Sequence, residues 1–197
     1  MMVNRSSYSQ LTTKAGYINS QKLDLLPKKP LKYSAGVIDN FEESAFPTDK
    51  ELKLKVGAQI MMLNNDVKKR WQNGTLGTIT KLSPLMIEVE IDGVRYEVEK
   101  HCWNKVEYKF NPDKGQIEEQ IRGSFIQFPI KLAWAITIHK SQGKTFDRVI
   151  IDLDRGAFAH GQVYVAFSRC RSLNGIYMTV PLRQKDIIVD EKIRKGL

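Results

Sequence analysis

The chain has 197 residues, of which 42% are hydrophobic and 9% aromatic, enough to bury a core and to exclude a disordered chain. Its net charge of +9 and isoelectric point near 9.5 favour a polyanionic partner, most often nucleic acid. Apolar runs such as 132–138 are too short to span a bilayer, and the polar start lacks a signal-peptide core. We therefore expect a soluble intracellular protein, cytoplasmic if bacterial, with no membrane partner.

The first part of the chain mixes extended and helical signals. Residues 8–13 are predicted to form a short strand, and residues 14–26 a helix that ends at Pro27. A crossing loop with a strand near residues 31–38 follows, because prolines interrupt a stretch of weak periodicity. We expect the chain to change domain within this loop.

The middle of the chain consists of short β-rich runs separated by turn residues, which predicts a small barrel. These runs are residues 58–63, 76–82, 86–91 and 94–98. The sharpest signal is a hairpin in which two alternating strands flank Asp92-Gly93, a pair suited to positive φ. Residues 106–110 and 116–125 are predicted to form another hairpin.

After Pro129 the pattern becomes α/β. We predict a helical or mixed run over 132–142, a strand over 149–153, a helix over 161–173 and a strand over 176–180. On that helix, the spacing predicts a face that packs against a sheet, formed by Val163, Ala166, Phe167 and Cys170. Gln162 and Arg169 are predicted to share another face, about 10.5 Å apart along the axis.

Two local patterns are rejected as functional sites. Gly143-Lys144-Thr145 resembles the end of a phosphate-binding loop, but Ile138 stands where that loop needs its first glycine. The chain therefore gives no sequence basis for autonomous ATP hydrolysis. Its three histidines and two cysteines match no zinc spacing, so we expect no metal site and reduced thiols.

Two polar clusters are suited to contact nucleic acid. Residues 137–142 concentrate hydroxyl, amide and charged groups, which can bind phosphates without recognising bases. The alternative is that Ser141-Gln142-Gly143 caps a helix while Lys140 is solvated. Lys68, Lys69, Arg70 and Trp71 combine charge with an aromatic ring and could hold a strand, although a charge run is more often a solvated turn.

Residues 132–153 (LAWAITIHKSQGKTFDRVIIDL) and 161–177 (GQVYVAFSRCRSLNGIY) resemble the last two motifs of the Pif-type (petite integration frequency) DNA helicase family of superfamily one and its RecD-like relatives. Residues 54–60 and 73–79 resemble the opening of the small barrel inserted into their second RecA-like domain. The resemblance implies an α/β fold, with a second RecA-like helicase domain over 1–54 and 130–197. It also implies an inserted Src-homology-3-like β-barrel over 55–129.

The resemblance also implies residue roles. The single-stranded DNA contacts would be Thr137, His139, Lys140 and Ser141. The residues facing the nucleotide would be Gln142, Gly143, Gln162 and Arg169. Arg169 would act as the catalytic arginine finger that stabilises charge on the transferring phosphoryl group. Arg171 would be an ordinary surface or ion-pair arginine.

The expected function is the carboxy-terminal part of an ATP-dependent 5′-to-3′ DNA helicase. ATP and Mg²⁺ would bind the intact enzyme, whose P-loop and magnesium ligands would belong to a missing amino-terminal RecA-like domain. We expect this chain alone to be a monomer without ATPase activity, with single-stranded DNA and that domain as its partners. A non-catalytic nucleic-acid-binding module is the alternative, although it would have no use for a buried helix presenting Gln162 and Arg169. A degraded gene product is a third possibility.

Overall fold

The computed structural model describes residues 2–3, 8–111, 115–154 and 156–190. These residues contain fourteen strands, two α-helices and four short 3₁₀ helices. The strands are β1 (Met2–Val3), β2 (Leu31–Ser34), β3 (Gly36–Asp39), β4 (Glu51–Leu54), β5 (Gln59–Met62), β6 (Leu76–Leu82), β7 (Ile87–Ile91), β8 (Val94–Val98), β9 (His101–Asn111), β10 (Gln116–Gln127), β11 (Ile130–Leu132), β12 (Ile136–Thr137), β13 (Val149–Asp152) and β14 (Ile176–Met178).

The helices are α1 (Tyr8–Asp24) and α2 (Gln162–Phe167). The 3₁₀ helices are Glu43–Ala45, His139–Ser141, Leu173–Gly175 and Gln184–Asp186. Within the described ranges, no helix is both long and apolar enough to cross a membrane. The strand predicted for residues 8–13 is wrong, because these residues begin α1. Local β-propensity is a weak preference that the surrounding structure overrides.

The chain forms two compact units. The α/β unit comprises residues 1–25 and 133–197, and the β unit comprises residues 26–132. The predicted domain boundaries lie instead at 54/55 and 129/130. Residues 26–54 group with the β unit because β2 pairs with β4 and β3 pairs with β10. The assignment of these units as functional domains stays a prediction.

The α/β unit is built on a four-stranded parallel sheet with strand order β12-β1-β13-β14. Its core contains Ile138, Val149, Ile151, Leu153 and Ala166. The predicted apolar helical face is confirmed for Val163, Ala166 and Phe167, which lie on α2 and pack in this core. Cys170 also packs against the core, but it lies beyond the end of α2. Alternation along β13 sends Val149 and Ile151 into the core while Ile150 stays exposed.

A buried amide attaches α1 to the segment that leads into β12. The side chain of Asn19 accepts a hydrogen bond from the Ala135 N–H at 2.9 Å and donates one to the Ala135 carbonyl at 3.0 Å. Both residues are buried, together with Ala15. One amide therefore satisfies both backbone groups of Ala135, as a neighbouring strand would do.

The β unit contains three antiparallel sheets. The largest has strand order β11-β5-β6-β7-β8, and the others are β3-β10-β9 and β2-β4. The predicted hairpin is confirmed as β7 and β8, joined by Asp92 and Gly93 with φ of 49° and 79°. Within the described residues the largest sheet is open, because β8 and β11 do not pair. A closed barrel is therefore not seen there.

Removing the Asn19 amide leaves two buried backbone groups without this partner. We expect Asn19→Ala to lower the free energy of unfolding by about 1–3 kcal/mol. Urea titration followed by far-UV circular dichroism measures the change. Asn174→Ala removes an exposed amide from the same unit and should change stability by less than about 0.5 kcal/mol. Equal effects of the two substitutions would contradict a stabilising role for the Asn19–Ala135 hydrogen bonds.

Candidate nucleic-acid and nucleotide site

The turn after β12 collects three of the predicted DNA contacts. Thr137 ends β12, and its Oγ1 accepts a hydrogen bond from the Lys140 backbone N–H at 3.4 Å. This contact ties the strand end to the 3₁₀ helix His139–Ser141. His139 and Lys140 are exposed on that helix. The turn therefore presents an imidazole and an ammonium group to solvent, at the carboxyl end of a parallel strand.

Ser141, the fourth predicted DNA contact, lies in a different environment. Its side chain is fully buried, and its hydroxyl donates a hydrogen bond to the Ile138 carbonyl at 2.5 Å. A buried hydroxyl with this partner is not available to a phosphate oxygen. The position supports a structural role for Ser141, whose hydroxyl stabilises the turn through its hydrogen bond to Ile138.

Gln142 and Gly143 form the centre of a type II β-turn. The Lys144 N–H donates to the Ser141 carbonyl at 3.1 Å, and Gln142 has φ −57° and ψ 139°. Gly143 has φ 74°, which the third position of this turn requires and which glycine adopts without steric cost. Gly143 and Lys144 therefore belong to a β-turn that ends at Lys144, in agreement with the rejection of Gly143-Lys144-Thr145 as a phosphate-binding loop.

Helix α2 is shorter than predicted, ending at Phe167 and not near Leu173. The prediction that Gln162 and Arg169 share one helical face is therefore wrong. The backbone beyond α2 pairs with another segment: the Phe146 N–H donates to the Arg169 carbonyl at 2.8 Å, and the Arg171 N–H donates to the Phe146 carbonyl at 3.0 Å. The Arg171 N–H is therefore not available to extend the helix.

Arg169 lies directly beside the turn at Gln142–Lys144. Its Nη1 donates to the Lys144 carbonyl at 3.4 Å, its Nε to the Val165 carbonyl at 3.0 Å and its Nη2 to the Ser168 hydroxyl at 2.9 Å. Three of the five guanidinium N–H donors are thus used within the α/β unit. Arg171 instead forms an exposed ion pair with Asp147 at 3.3 Å, in line with its predicted role.

Gln162 is buried at the start of α2, where its Oε1 accepts a hydrogen bond from the Phe158 N–H at 3.1 Å. This contact holds the loop that precedes the helix. The structure therefore brings Arg169 to the turn that contains Gln142 and Gly143. The side chain of Gln162 instead holds the loop before α2.

A network of charged residues that the sequence did not predict lies at the carboxyl end of the same sheet. The Lys14 ammonium lies 3.0 Å from a carboxylate oxygen of Asp152 and 3.0 Å from one of Asp154. Asp152 also accepts hydrogen bonds from the Asp154 N–H and the Thr179 hydroxyl. The recurrence of Asp at 152 and 154 after an apolar strand was a usable signal, but Lys14 is 138 positions away from Asp152.

The network sets the charge states of its members. Burial works to raise the pKa of Asp152, but hydrogen bonds from Lys14, Asp154 and Thr179 hold that pKa below its ordinary value. Burial works to lower the pKa of Lys14, whereas the hydrogen bonds and negative charges of Asp152 and Asp154 raise it. Both groups are therefore held in their charged forms.

The strand register relates this network to the DNA-contact turn. Val3 on β1 lies opposite Thr137 on one side and opposite Asp152 on the other. Neighbouring strands are about 4.8 Å apart, so Thr137 and Asp152 are separated by about 10 Å across the sheet edge. The carboxyl edge of a parallel sheet is the usual position of ligand sites in α/β proteins.

In the β unit, the basic loop at residues 66–71 has a rigid base and an exposed tip. Asp66 accepts hydrogen bonds from the Arg70 guanidinium at 2.7 and 2.8 Å, and the Arg70 Cζ lies 4.4 Å from the Trp71 ring centroid. Trp71 is buried. Lys68 and Lys69 remain exposed at the tip, so they are the loop's available cations.

Two family models match the chain. Residues 41–82 match the model described as DNA helicase Pif1, 2B domain. Residues 132–176 match the UvrD-like helicase C-terminal domain. The second match contains the DNA-contact turn and Arg169.

Individual relatives agree with these matches. The ATP-dependent DNA helicase Pif1 of Bdellovibrio bacteriovorus is 40% identical over 151 residues, covering 77% of this chain and 32% of the relative. The chain belongs to the Pif1 helicase family. It spans about a third of the length of this curated Pif1 relative.

Solved Pif1 structures share the fold. Unliganded Pif1 from Bacteroides sp. superposes with a TM-score of 0.85 at 37% identity, covering 99% of this chain and 43% of the relative. Bacteroides Pif1 in complex with ADP-AlF3 and single-stranded DNA gives a TM-score of 0.79 at 37% identity, with coverages of 99% and 44%. The helicase domain expected from the motifs is thus supported by three-dimensional similarity.

The Asp66–Arg70 pair generates a pH prediction. Hydrogen bonds from the Arg70 side chain lower the pKa of Asp66 to about 2 in the folded chain, against an ordinary value of 3.8. Because the folded-state pKa is depressed, the pair contributes its full stability above about pH 4 and loses it as the pH falls towards about 2. We expect the wild type to be more stable than Asp66→Asn at pH 7, by a margin that shrinks across this window.

Urea titrations of both proteins between pH 2 and 7 measure this margin. Lys68→Met changes the charge of the same loop without touching the Asp66–Arg70 pair, so its stability difference from the wild type should not shrink over that pH window. A margin for Asp66→Asn that stays constant down to pH 2 would contradict the role of the ion pair.

Proposed function

We propose that this chain is the carboxy-terminal part of an ATP-dependent 5′-to-3′ DNA helicase. The α/β unit acts as the second RecA-like domain, and the β unit supplies an inserted Src-homology-3-like barrel. The chain contributes single-stranded DNA contacts and an arginine finger but does not hydrolyse ATP alone. The observation that carries this proposal is the hydrogen bond from Arg169 to the Lys144 carbonyl, in the β-turn that directly follows the exposed residues His139 and Lys140.

The proposed DNA contacts are Thr137, His139 and Lys140. The ammonium of Lys140 provides charge, while the Thr137 hydroxyl and the His139 ring can form directed hydrogen bonds to phosphate oxygens. Such contacts hold a strand without selecting a sequence, as translocation requires. Ser141 is left out of this set because its hydroxyl is buried and bonded. The Bacteroides Pif1 complex contains single-stranded DNA, which supports the ligand class.

The proposed nucleotide contact is Arg169, beside Gln142 and Gly143. Two of its five guanidinium N–H donors have no acceptor within the described residues. The guanidinium can therefore bind a phosphate oxygen without losing its present partners. Bound ATP and Mg²⁺ would supply the transferable phosphoryl group and neutralise part of its charge. In that state Arg169 would stabilise the charge that develops on the phosphoryl oxygens. Gln162 would act indirectly, by holding the loop before α2.

The two proposed contact sets are joined through the backbone. Lys144 follows the DNA-contact turn, and its carbonyl accepts a hydrogen bond from Arg169. Phe146, two residues further, pairs with the backbone on both sides of Cys170. A displacement of the turn by bound DNA would therefore move Arg169. A module that only binds nucleic acid would not need this connection, so it favours the helicase over the alternative function.

DNA binding is tested with Lys140→Ala in the 197-residue chain. Loss of one phosphate contact should weaken binding of a (dT)16 oligonucleotide at low salt and reduce the slope of log K against log salt by about 0.7. Fluorescence anisotropy over a salt series measures both quantities. Lys185→Ala removes an exposed lysine from the same unit and is the matched control. Equal effects of the two substitutions would remove Lys140 from the DNA surface.

The arginine finger is tested with Arg169→Ala in a longer helicase that contains this segment and a phosphate-binding loop. Contacts that strengthen only in the transition state act on kcat, so we expect a loss of about 10³-fold or more with little change in DNA affinity. Arg169→Lys should rescue poorly, because an ammonium lacks the planar fork. Steady-state ATPase assays at saturating single-stranded DNA provide the measurement.

Arg171→Ala is the matched control, since it removes the same charge from an exposed ion pair two residues away. It should reduce kcat far less than Arg169→Ala. Equal losses, or an Arg169→Ala defect seen only as weaker DNA binding, would show that the finger is assigned to the wrong residue.

A further inference from the structure

The outer part of the β9–β10 hairpin is a ribbon of only two strands. Strand β3 pairs with β10 only over residues 123–126, whereas the β9–β10 pairing continues to Asn111 and Gln116. We call residues 106–111 and 116–121 the ribbon. A two-stranded ribbon is at best marginally stable in water unless another layer packs on it.

One face of the ribbon is apolar and exposed. In the antiparallel register, Val106 pairs with Ile121, Tyr108 with Glu119 and Phe110 with Ile117. Residues directly opposite each other point to the same side, so these three pairs form one face. The exposed fractions are 38% for Val106, 66% for Tyr108, 64% for Phe110, 68% for Ile117 and 59% for Ile121. We call this surface the ribbon face.

The other side of the ribbon is polar. It carries the pairs Lys109–Glu118 and Glu107–Gln120, and Glu107 also forms an ion pair with Arg122. The described residues between 105 and 122 carry three basic and three acidic side chains. The ribbon face itself has a single charge, the carboxylate of Glu119. Within the ribbon itself, acids outnumber bases, since Glu107, Glu118 and Glu119 stand against Lys109. A ribbon with this excess of acids, and with one of them in its apolar face, is poorly suited to a phosphate backbone and well suited to protein.

We propose that the ribbon face packs against the ribbon face of a second copy of this chain, forming a weak two-fold dimer. Consider a two-fold axis that lies between the ribbons and runs parallel to the strands. It places β9 of each copy over β10 of the other, at the spacing of about 10 Å that stacked sheets adopt. Glu119 then lies over Tyr108 of the second copy and can accept a hydrogen bond from its phenol.

The position of Glu119 selects this arrangement. A two-fold axis perpendicular to the strands through the central pair would place the two Glu119 carboxylates over each other in an apolar contact. Like charges in such a contact are destabilising. The parallel axis is therefore the favoured one, since it joins each acid to a hydroxyl donor and the apolar side chains to each other.

The size of the ribbon face predicts a weak association. Its five apolar side chains expose on the order of 500 Å², similar to the largest apolar patch of an ordinary monomer. A standard interface buries about 800 Å² on each partner. The dimer should therefore form only at high protein concentration, which differs from the monomer expected from the sequence.

Sedimentation equilibrium of the 197-residue chain over about 10–500 µM, without DNA, tests the proposal. We expect the average mass to rise towards that of a dimer with concentration. Ile117→Glu should abolish this rise by placing a charge in the ribbon face. Gln120→Glu adds the same charge to the same strand on the polar side and should leave the rise unchanged. Circular dichroism of each variant confirms that the fold is kept.

A chain that stays monomeric at all these concentrations would overturn the proposal. So would equal dimerisation of the wild type and Ile117→Glu. If Ile117→Glu weakened (dT)16 binding while the wild type remained monomeric, the ribbon face would be a DNA surface and the dimer would again be excluded. Because Lys140→Ala reports on the helicase site separately, failure of the dimer leaves the proposed function untouched.

Discussion

The backbone pairing of Phe146 with the residues on both sides of Cys170 is the interaction on which the candidate site depends. It ends α2 at Phe167, because the N–H and C=O groups that would extend the helix are used in the pairing. It also places Arg169 next to Lys144, whose carbonyl the guanidinium contacts.

Helix α1 also contacts the elements that carry this site. Helix α1 is attached at two points: Asn19 bonds the segment before β12, and Lys14 reaches the carboxylates at the end of β13. Within the described residues, β1, β12 and β13 are two to four residues long. Side-chain contacts from α1 therefore supplement the backbone pairing at the carboxyl edge.

The β unit shows a different balance between buried and exposed apolar groups. Its largest sheet follows the expected alternation, with Ile87, Val89 and Ile91 buried between partly exposed glutamates. The ribbon departs from this pattern, since its apolar side chains face solvent. Burying apolar surface is favourable by about 25 cal/mol per Å², so such a face favours a covering partner. The same physical preference that forms the core thus makes the ribbon a surface for association.

The sequence by itself determined the local features of this protein. The Asp92-Gly93 hairpin, the strand near Val149–Asp152 and the apolar face around Ala166 follow from turn chemistry and hydrophobic period, which act over a few residues. The motifs around His139 and Arg169 were sufficient to indicate the family. Each of these signals is complete within one short segment.

Only the tertiary structure decided where the segments meet. The end of α2, the grouping of residues 26–54 with the β unit, the burial of Ser141 and the contact of Lys14 with Asp152 all depend on partners far away in the chain. Helical period predicts which residues could share a face but not where pairing with another strand stops the helix. Long-range hydrogen bonds and ion pairs leave no periodic trace in the sequence, so their geometry had to come from the fold.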